Sequence, residues 1–111
     1  MGRDRTFEPI ALRKMVWSDV TTSYQALGDA LDEPVYILFL FNGTDGTIFI
    51  SENGTDDHYR LLANGSREID VQANAVSPRV SAKKTGTQFY ARAEVGDLPS
   101  SGYVWFEGQV L

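Results

Sequence analysis

Apolar and polar side chains alternate with a period of two along much of this chain. Residues 35–41 depart from this alternation, because seven apolar residues follow one another there. In an extended strand the odd-numbered and even-numbered side chains of this stretch point to opposite faces. A strand that is apolar on both faces is covered on both, so we predict that residues 35–41 form a central strand of a sheet.

Shorter stretches with β-branched and aromatic residues predict further strands at 10–17, 21–27, 47–51, 58–62, 67–72, 86–93 and 103–107. Ser77-Pro78 marks residues 74–84 as a loop, because proline interrupts a central strand. No stretch has a convincing helical period. Seven or eight short strands without a helix predict an all-β domain, an antiparallel β-sandwich of jelly-roll-like form.

Three Asn-Gly-[Ser/Thr] triplets, at 42–44, 53–55 and 64–66, stand at an even spacing of eleven residues. Asn-Gly favours the type I′ hairpin turn, in which both central residues have positive φ. The spacing therefore predicts three hairpin turns and an antiparallel meander through the middle of the chain. In this interpretation the glycines matter, and Thr44 and Thr55 can be replaced at little cost.

The same triplets fit the N-glycosylation sequon. Glycosylation requires passage through a secretory compartment, and residues 1–9 contain no apolar segment of the kind found in a signal peptide. We therefore expect the triplets to act through turn geometry.

The chain of 111 residues has the size of one domain. Residues 1–9 carry four charges and Pro9 and show no strand alternation. We predict that they form an extended N-terminal arm and that residues 10–111 form the single β-sandwich domain.

Composition removes several classes of partner. The net charge of -5 and the pI near 4.7 disfavour nucleic acid, because phosphate binding needs a basic surface. The longest apolar stretch has seven residues, whereas a spanning helix needs about 20, so we expect no membrane partner. The chain has no cysteine, which excludes disulfides and thiolate zinc sites.

Candidate catalytic groups are few. His58 is the only histidine, and it stands beside Asp56 and Asp57, as an ordinary turn residue would. The serines lack a nucleophile elbow. Asp45 and Glu52, together with those two aspartates, are candidate calcium ligands, but their spacing does not match an EF-hand loop. We expect that the protein is not an enzyme and binds neither a metal nor a cofactor.

Aromatic residues make up 12% of the chain. Tyr36, Phe49, Tyr90 and Tyr103 are predicted to lie opposite the core face of their strands, where they would serve an interface. Two alternatives stay open, since such rings can also be buried within one subunit or can bind carbohydrate. In the arm, Arg3, Arg5 and Phe7 are candidates for contact with an acidic protein partner, with solvated surface charge as the alternative.

Five segments occur in the order Ser-Tyr-Gln-Ala-Leu-Gly (23–28), Asn-Gly-Thr-Asp (42–45), Ile-Ser-Glu-Asn-Gly-Thr-Asp-Asp-His (50–58), Gly-Thr-Gln-Phe-Tyr (86–90) and Ser-Ser-Gly-Tyr-Val (100–104). In this order, across residues 20–107, the chain resembles a family of small virion proteins of tailed bacteriophages. Length and layout are most similar to the capsid-stapling decoration (cement) proteins of epsilon-fifteen-type short-tailed phages. The family's frequent Trp/Leu-Asp-Gly at the second turn is here Glu52-Asn53-Gly54, a departure that leaves the turn intact.

The resemblance implies a non-enzymatic jelly-roll-like subunit, often a homodimer, that binds the outside of the phage head and clamps neighbouring major capsid proteins. It also implies a protein made in the host cytoplasm and located on the outer surface of the virion. A neck or tail component of the virion and a carbohydrate-binding β-sandwich module are the alternative functions. The residues predicted to bind the partner are Arg3, Arg5, Phe7, Tyr36, Phe49, Tyr90 and Tyr103.

Overall fold

The computed structural model describes residues 8–10, 12–70 and 83–110. These residues form nine strands and one short 3-10 helix at Trp17–Asp19, which confirms the predicted all-β class. The strands are β1 (Glu8–Pro9), β2 (Arg13–Val16), β3 (Gln25–Ala26), β4 (Ile37–Asn42), β5 (Ile48–Ser51), β6 (Tyr59–Leu61), β7 (Ser66–Asp70), β8 (Tyr90–Ala93) and β9 (Tyr103–Val110). Within this described part of the chain, no helix is long and apolar enough to cross a bilayer.

The strands form two antiparallel sheets. The first sheet has the order β1-β9-β4-β7, and β2 also pairs with β9. Strands β1 and β2 therefore occupy successive parts of the same edge of β9, the edge opposite β4. The second sheet has the order β3-β8-β5-β6. The predicted central position of the 35–41 strand is confirmed, since β4 has a neighbour on each side.

The pairing of the strands is nested along the chain. The β1 and β2 segments pair with β9, β3 pairs with β8, β4 pairs with β7, and β5 pairs with β6. The first half of the chain thus runs antiparallel to the second half, as in one long folded hairpin. Two further pairings, β4 with β9 and β5 with β8, join neighbouring strands of that folded hairpin into the two sheets.

Both sheets contribute to one hydrophobic core. Its fully buried side chains include Leu38 and Leu40 from the first sheet and Ile48 and Ile50 from the second. Phe106 of β9 meets Phe89, which precedes β8, with ring centroids 4.9 Å apart. Burial of these side chains is the main source of stability in a chain without disulfides.

The structure shows which face of the 35–41 strand enters the core. Leu38 and Leu40 point into the core, while Phe39 and Phe41 lie half-buried on the outer face. The pairing with β9 decides this, because it sets Leu40 opposite the buried Phe106. Val35 is also fully buried, and the half-buried Tyr36 lies between it and β4.

The predicted meander was also wrong. β5 and β6 form a hairpin, but β4 and β5 lie in different sheets, as do β6 and β7. None of the three triplets forms a type I′ turn, because positive φ occurs only at Gly54 in the second triplet and at Asn64 in the third. Asn42 N–H instead donates to Gly65 O at 2.8 Å, so the first and third triplets lie side by side.

The last two residues of the predicted arm, Glu8–Pro9, form β1 and pair with β9. The predicted arm contacts of Arg3, Arg5 and Phe7 lie outside the described residues, and most of the predicted 74–84 loop does too.

Candidate interaction surfaces

The outer face of the first sheet carries the largest set of outward aromatic side chains. We call the following residues of β4 and β9 the aromatic face: Ile37, Phe39, Phe41, Tyr103 and Trp105. They point away from the core because their strand neighbours Leu38, Leu40, Val104 and Phe106 point into it. Tyr103 is the most open of the five, at 46% exposure.

The rings of the aromatic face are stacked on one another. Phe41 and Trp105 face each other across β4 and β9, with ring centroids 5.0 Å apart and planes 14° apart. Phe39 follows Phe41 at 6.4 Å. Trp105 Nε1 donates to Glu107 Oε2 at 3.2 Å. This contact fixes the indole ring, so the stacked rings form a preorganised apolar surface.

Charged side chains of opposite sign stand at the two edges of the aromatic face. Lys14 of β2 lies opposite Trp105, and its ammonium is 4.9 Å from the centroid of the Tyr103 ring. At the other edge, the exposed Glu68 of β7 lies opposite Phe39. Glu107 of β9, which lies opposite Phe39, adds an exposed carboxylate within the face, so the face carries a cation along β2 and carboxylates on β9 and β7.

A cavity of about 250 Å³ opens at the end of the aromatic face. Ile10, Leu12 and Phe39 give it apolar walls, and Glu107 adds one carboxylate. Leu12 is 52% exposed although it is a large apolar residue. The cavity extends the apolar surface toward β1.

The outer face of the second sheet carries a smaller surface of aromatic and charged side chains. Phe49 of β5 lies opposite Arg92 of β8, and Tyr90 stands two residues before Arg92 on the same face. The Arg92 guanidinium lies 4.5 Å from the centroid of the Phe49 ring and 5.4 Å from that of Tyr24. Cation–π contacts of this kind hold the guanidinium against the two rings.

Asp57 completes this second surface from the loop between β5 and β6. Its carboxylate accepts two hydrogen bonds from Arg92, Nε to Oδ1 at 3.1 Å and Nη2 to Oδ2 at 2.8 Å. The Tyr24 hydroxyl also donates to Asp57 Oδ1. Hydrogen bonds from Arg92 and from Tyr24 lower the pKa of the Asp57 carboxyl, whereas burial and the bond to Asp57 raise the pKa of Tyr24 to about 12.

The remaining carboxylates suggested as calcium ligands have separate partners. Asp45 accepts hydrogen bonds from Ser100 N and Oγ, and Glu52 accepts bonds from Tyr59 and Lys83. Across residues 8–10, 12–70 and 83–110, no group of three or more His, Asp or Glu side chains is arranged to hold a metal ion. His58 Nδ1 accepts the Glu52 N–H at 2.9 Å, which gives the imidazole a role in the loop.

The structure divides the residues predicted to bind a partner between two surfaces. Phe49 and Tyr90 share the outer face of the second sheet, Tyr103 belongs to the aromatic face, and the half-buried Tyr36 precedes β4. The sequence interpretation missed Phe41 and Trp105. Trp105 had a usable signal, because it stands two residues after Tyr103 and so must share its face.

Comparisons with known proteins found no relative of this chain. A scan against protein-family models, a search of the curated proteins and a search of the solved structures each found no match.

Proposed function

We propose that this protein is a non-enzymatic decoration protein of a bacteriophage head, which binds the outer surface of the capsid and clamps neighbouring major capsid proteins. The observation that carries the proposal is the nested strand pairing. It agrees with the fold expected from the resemblance of residues 20–107 to small virion proteins of tailed phages.

The finer fold assignment in this proposal is a jelly-roll β-sandwich. If β1 and β2 are counted as one interrupted edge strand, the described residues form eight strands. The first pairs with the eighth, the second with the seventh, the third with the sixth and the fourth with the fifth. This nesting is the pattern of a long hairpin rolled into two four-stranded sheets. Jelly rolls of this kind build viral capsid domains and lectins.

Two outward surfaces on opposite sheets support a clamping role. The aromatic face and the Phe49–Arg92 surface point in different directions because they belong to different sheets. A small subunit with two such surfaces can join two neighbours. Repetition over a capsid then makes even weak single contacts strong in sum, because linked sites bind at high effective concentration.

The proposal is tested by adding the purified protein to heads that are assembled from the major capsid protein of the same phage and lack this protein. We expect co-sedimentation with the heads and, after averaging of particle images, density on the outer shell that bridges neighbouring capsid subunits. Density confined to the neck or tail would instead support a connector component, and the absence of any binding to the particle would contradict a virion role.

Carbohydrate binding is the second candidate, and the stacked Phe41–Trp105 pair favours it. Sugar rings pack their apolar faces on exposed aromatic side chains, and lectins include jelly rolls. Titration with a panel of mono- and oligosaccharides should change the fluorescence of Trp105 if this function is correct. A Trp105→Phe variant identifies the contribution of Trp17, the other tryptophan of the chain.

A further inference from the structure

We propose that Asn64 is a site of spontaneous deamidation, and that the fold protects Asn42 and Asn53 from the same reaction. This inference concerns the chemistry of the three Asn-Gly triplets and goes beyond the proposed function. The reaction needs only this chain and water, so it is tested on the isolated protein.

Deamidation of an Asn-Gly pair begins when the glycine nitrogen attacks the side-chain amide carbon of the asparagine. The new N–Cγ bond closes a succinimide ring, the Cγ–Nδ2 bond breaks, and the amide nitrogen takes up the proton of the glycine nitrogen and leaves as ammonia. Water then opens the ring at either carbonyl, which gives aspartate or isoaspartate. Glycine favours the attack because it has no side chain and its backbone rotates freely. The asparagine side chain must also be free to turn toward the glycine nitrogen.

The three triplets form a matched set for this reaction. Each has Asn-Gly followed by serine or threonine, at 42–44, 53–55 and 64–66. The local sequence therefore gives the three asparagines nearly the same intrinsic reactivity. A large difference between their rates in the folded protein comes from the structure around each one.

At Asn42 both the amide group and the attacking nitrogen are held. The side chain is 1% exposed, and its Nδ2 donates to Gly46 O at 2.7 Å and to Leu61 O at 3.0 Å. The Gly43 N–H donates to Tyr103 O of β9 at 2.8 Å. Attack on the Asn42 amide would therefore require buried contacts between strands to open.

Asn53 is exposed, yet its amide group is also fixed. Its Oδ1 accepts the N–H groups of Thr55 and Asp56, each at 2.9 Å, and its Nδ2 donates to Asp56 Oδ2 at 2.8 Å. The Gly54 N–H donates to Oγ of the fully buried Ser51 at 2.9 Å. All of these bonds must break before the glycine nitrogen can reach the Asn53 amide carbon.

Asn64 lacks this protection. Its side chain is exposed and takes part in no hydrogen bond within the described part of the chain. Its N–H donates to Thr44 O at 3.3 Å, which is longer than a usual hydrogen bond. The attacking nitrogen is held by one turn bond, from the Gly65 N–H to Leu62 O at 2.8 Å. Leu62 is itself 58% exposed.

The backbone conformation of Asn64 further lowers the cost of opening this turn. Its φ is 59°, and it is the only non-glycine residue with positive φ among those that the structure describes. A residue with a side chain carries steric strain in this region, and the strain is released when the turn opens. Exposed turns open locally, without unfolding of the sheets. The Asn64 amide therefore becomes accessible to its glycine nitrogen more often than the other two.

The isoaspartate product would alter a contact between the first and third triplets. It routes the main chain through the former side chain, which lengthens the backbone by a methylene group just before Gly65. Gly65 O accepts the Asn42 N–H at 2.8 Å, a bond that continues the pairing of β4 with β7. We therefore expect deamidated protein to melt at a lower temperature than fresh protein. Asn64→Asp has the charge of the aspartate product and a normal backbone, and should melt near the wild type.

The test is peptide mapping of the full chain by mass spectrometry during incubation at mildly alkaline pH, with aspartate and isoaspartate peptides separated by chromatography. In the folded protein Asn64 should convert at least about tenfold faster than Asn42 or Asn53, because it alone reacts through local opening. In urea, where the chain is unfolded, the three rates should converge. This comparison separates protection by the fold from the effect of local sequence.

Two variants should expose Asn53 to the reaction. Ser51→Ala removes the acceptor of the Gly54 N–H, and Asp56→Ala removes the carboxylate that holds Asn53 Nδ2. Each should raise the rate at Asn53 and leave the rate at Asn64 unchanged, with circular dichroism to verify folding. Asn64→Asp serves as the matched control, since it removes the proposed site and should leave the rates at the other two asparagines as they are.

Three results would overturn the inference. The first is a folded protein in which Asn53 converts as fast as Asn64 or faster, and the second is one in which Asn64 converts as slowly as Asn42. The third is a difference between the three rates that persists unchanged in urea, because local sequence would then be its cause. None of these measurements involves a phage head, so the proposed function is tested separately.

Discussion

At the scale of single residues, Asn42 has the largest structural role among the triplet residues. It ends β4 of the first sheet and is 1% exposed. Its amide nitrogen donates to Gly46 O at 2.7 Å and to Leu61 O of β6 at 3.0 Å, while its Oδ1 accepts the Thr44 N–H at 3.0 Å. The Asn42 side chain therefore joins the two sheets through β6. The Asn-Gly pair that predicted a hairpin turn is in fact the site of this contact between the sheets.

We predict that Asn42→Asp lowers the free energy of unfolding by at least about 2 kcal/mol, because buried carbonyl oxygens lose their donor and face a carboxylate. Urea titration measures this change. Asn53→Asp is the matched control, since Asn53 occupies the same triplet position in an exposed loop. A control variant as destabilised as Asn42→Asp would contradict the bridging role.

The residues at the third position of the first two triplets also differ in burial. Thr44 is 1% exposed, and its hydroxyl is 2.6 Å from Asn42 Oδ1 and 3.3 Å from the Gly46 N–H. Thr55 is exposed. We therefore predict that Thr44→Ala costs about 1 to 2 kcal/mol of unfolding free energy, and that Thr55→Ala changes it by less than about 0.5 kcal/mol.

Denaturant midpoints of the two threonine variants decide between this prediction and the interpretation from sequence, in which both replacements cost little. Equal and small losses would show that the Thr44 hydroxyl adds nothing to the turn.

The glycines of the first two triplets matter for different reasons. Gly54 has φ of 78°, the conformation that the sequence signal anticipates. At Gly43 φ is not positive; a Cβ there would stand 2.5 Å from Cζ3 of Trp105. Local turn chemistry predicts the first requirement. The second arises from a ring about 60 positions along the chain, which no local pattern encodes.

At the scale of elements, the positions of the strands were predictable and their partners were not. The predicted strands at 35–41, 47–51 and 58–62 correspond closely to β4, β5 and β6. Alternation with a period of two is a property of each segment alone. Pairing depends on contacts between distant segments, such as the nesting of β4 with β7, and the even spacing of the triplets carries no information about them.

The face of β4 that enters the core was unpredictable for a related reason. Leu38 and Leu40 differ little in hydrophobicity from Phe39 and Phe41, so both faces of the segment satisfy a core pattern. The side chains of β9 decide, because Phe106 and Gly108 face inward and take Leu40 and Leu38 as their neighbours. The aromatic face was therefore only partly visible in the sequence, through Tyr103.

The contact of Asp57 with Arg92 fastens the loop between β5 and β6 to β8, and it makes stability depend on pH. The pKa of the Asp57 carboxyl is lowered in the folded protein by hydrogen bonds from Arg92 and Tyr24. Its stabilising contribution is complete above the pKa of an unfolded aspartate, about 3.9. It is lost as pH falls through the lower pKa of the folded state.

We predict that Asp57→Asn lowers the melting temperature at pH 7, and that the difference from wild type shrinks as the pH falls below about 4. Thermal melts across this range measure it. Asp56→Asn removes one carboxylate from the same loop without touching Arg92, and should lower the melting temperature at pH 7 by less. A difference for Asp57→Asn that grows toward low pH would have the wrong sign for this contact.

At the scale of the whole molecule, the proposed function assigns separate contacts to the two outward surfaces and to the arm. In the proposed function, the aromatic face and the outer face of the second sheet each meet a different capsid neighbour, and residues 1–7 supply a further contact. Phe49 and Tyr90 lie on the outer face of the second sheet. β1, the first described strand, pairs with β9 of the first sheet. The sequence suggested these residues by their type, and their division between surfaces follows only from the two-sheet topology.

Deletion of residues 2–7 tests the contribution of the arm, because it removes Arg3, Arg5 and Phe7 and leaves β1 intact. We predict an unchanged melting temperature and a marked loss of occupancy on phage heads, measured by co-sedimentation. Arg3→Ala/Arg5→Ala should bind less at low salt, and its binding should depend less on salt than that of wild type, since exposed ion pairs are screened over about 8 Å at physiological ionic strength. Full occupancy after the deletion would assign capsid binding to the two outward sheet faces, and a Phe49→Ser variant should then bind less.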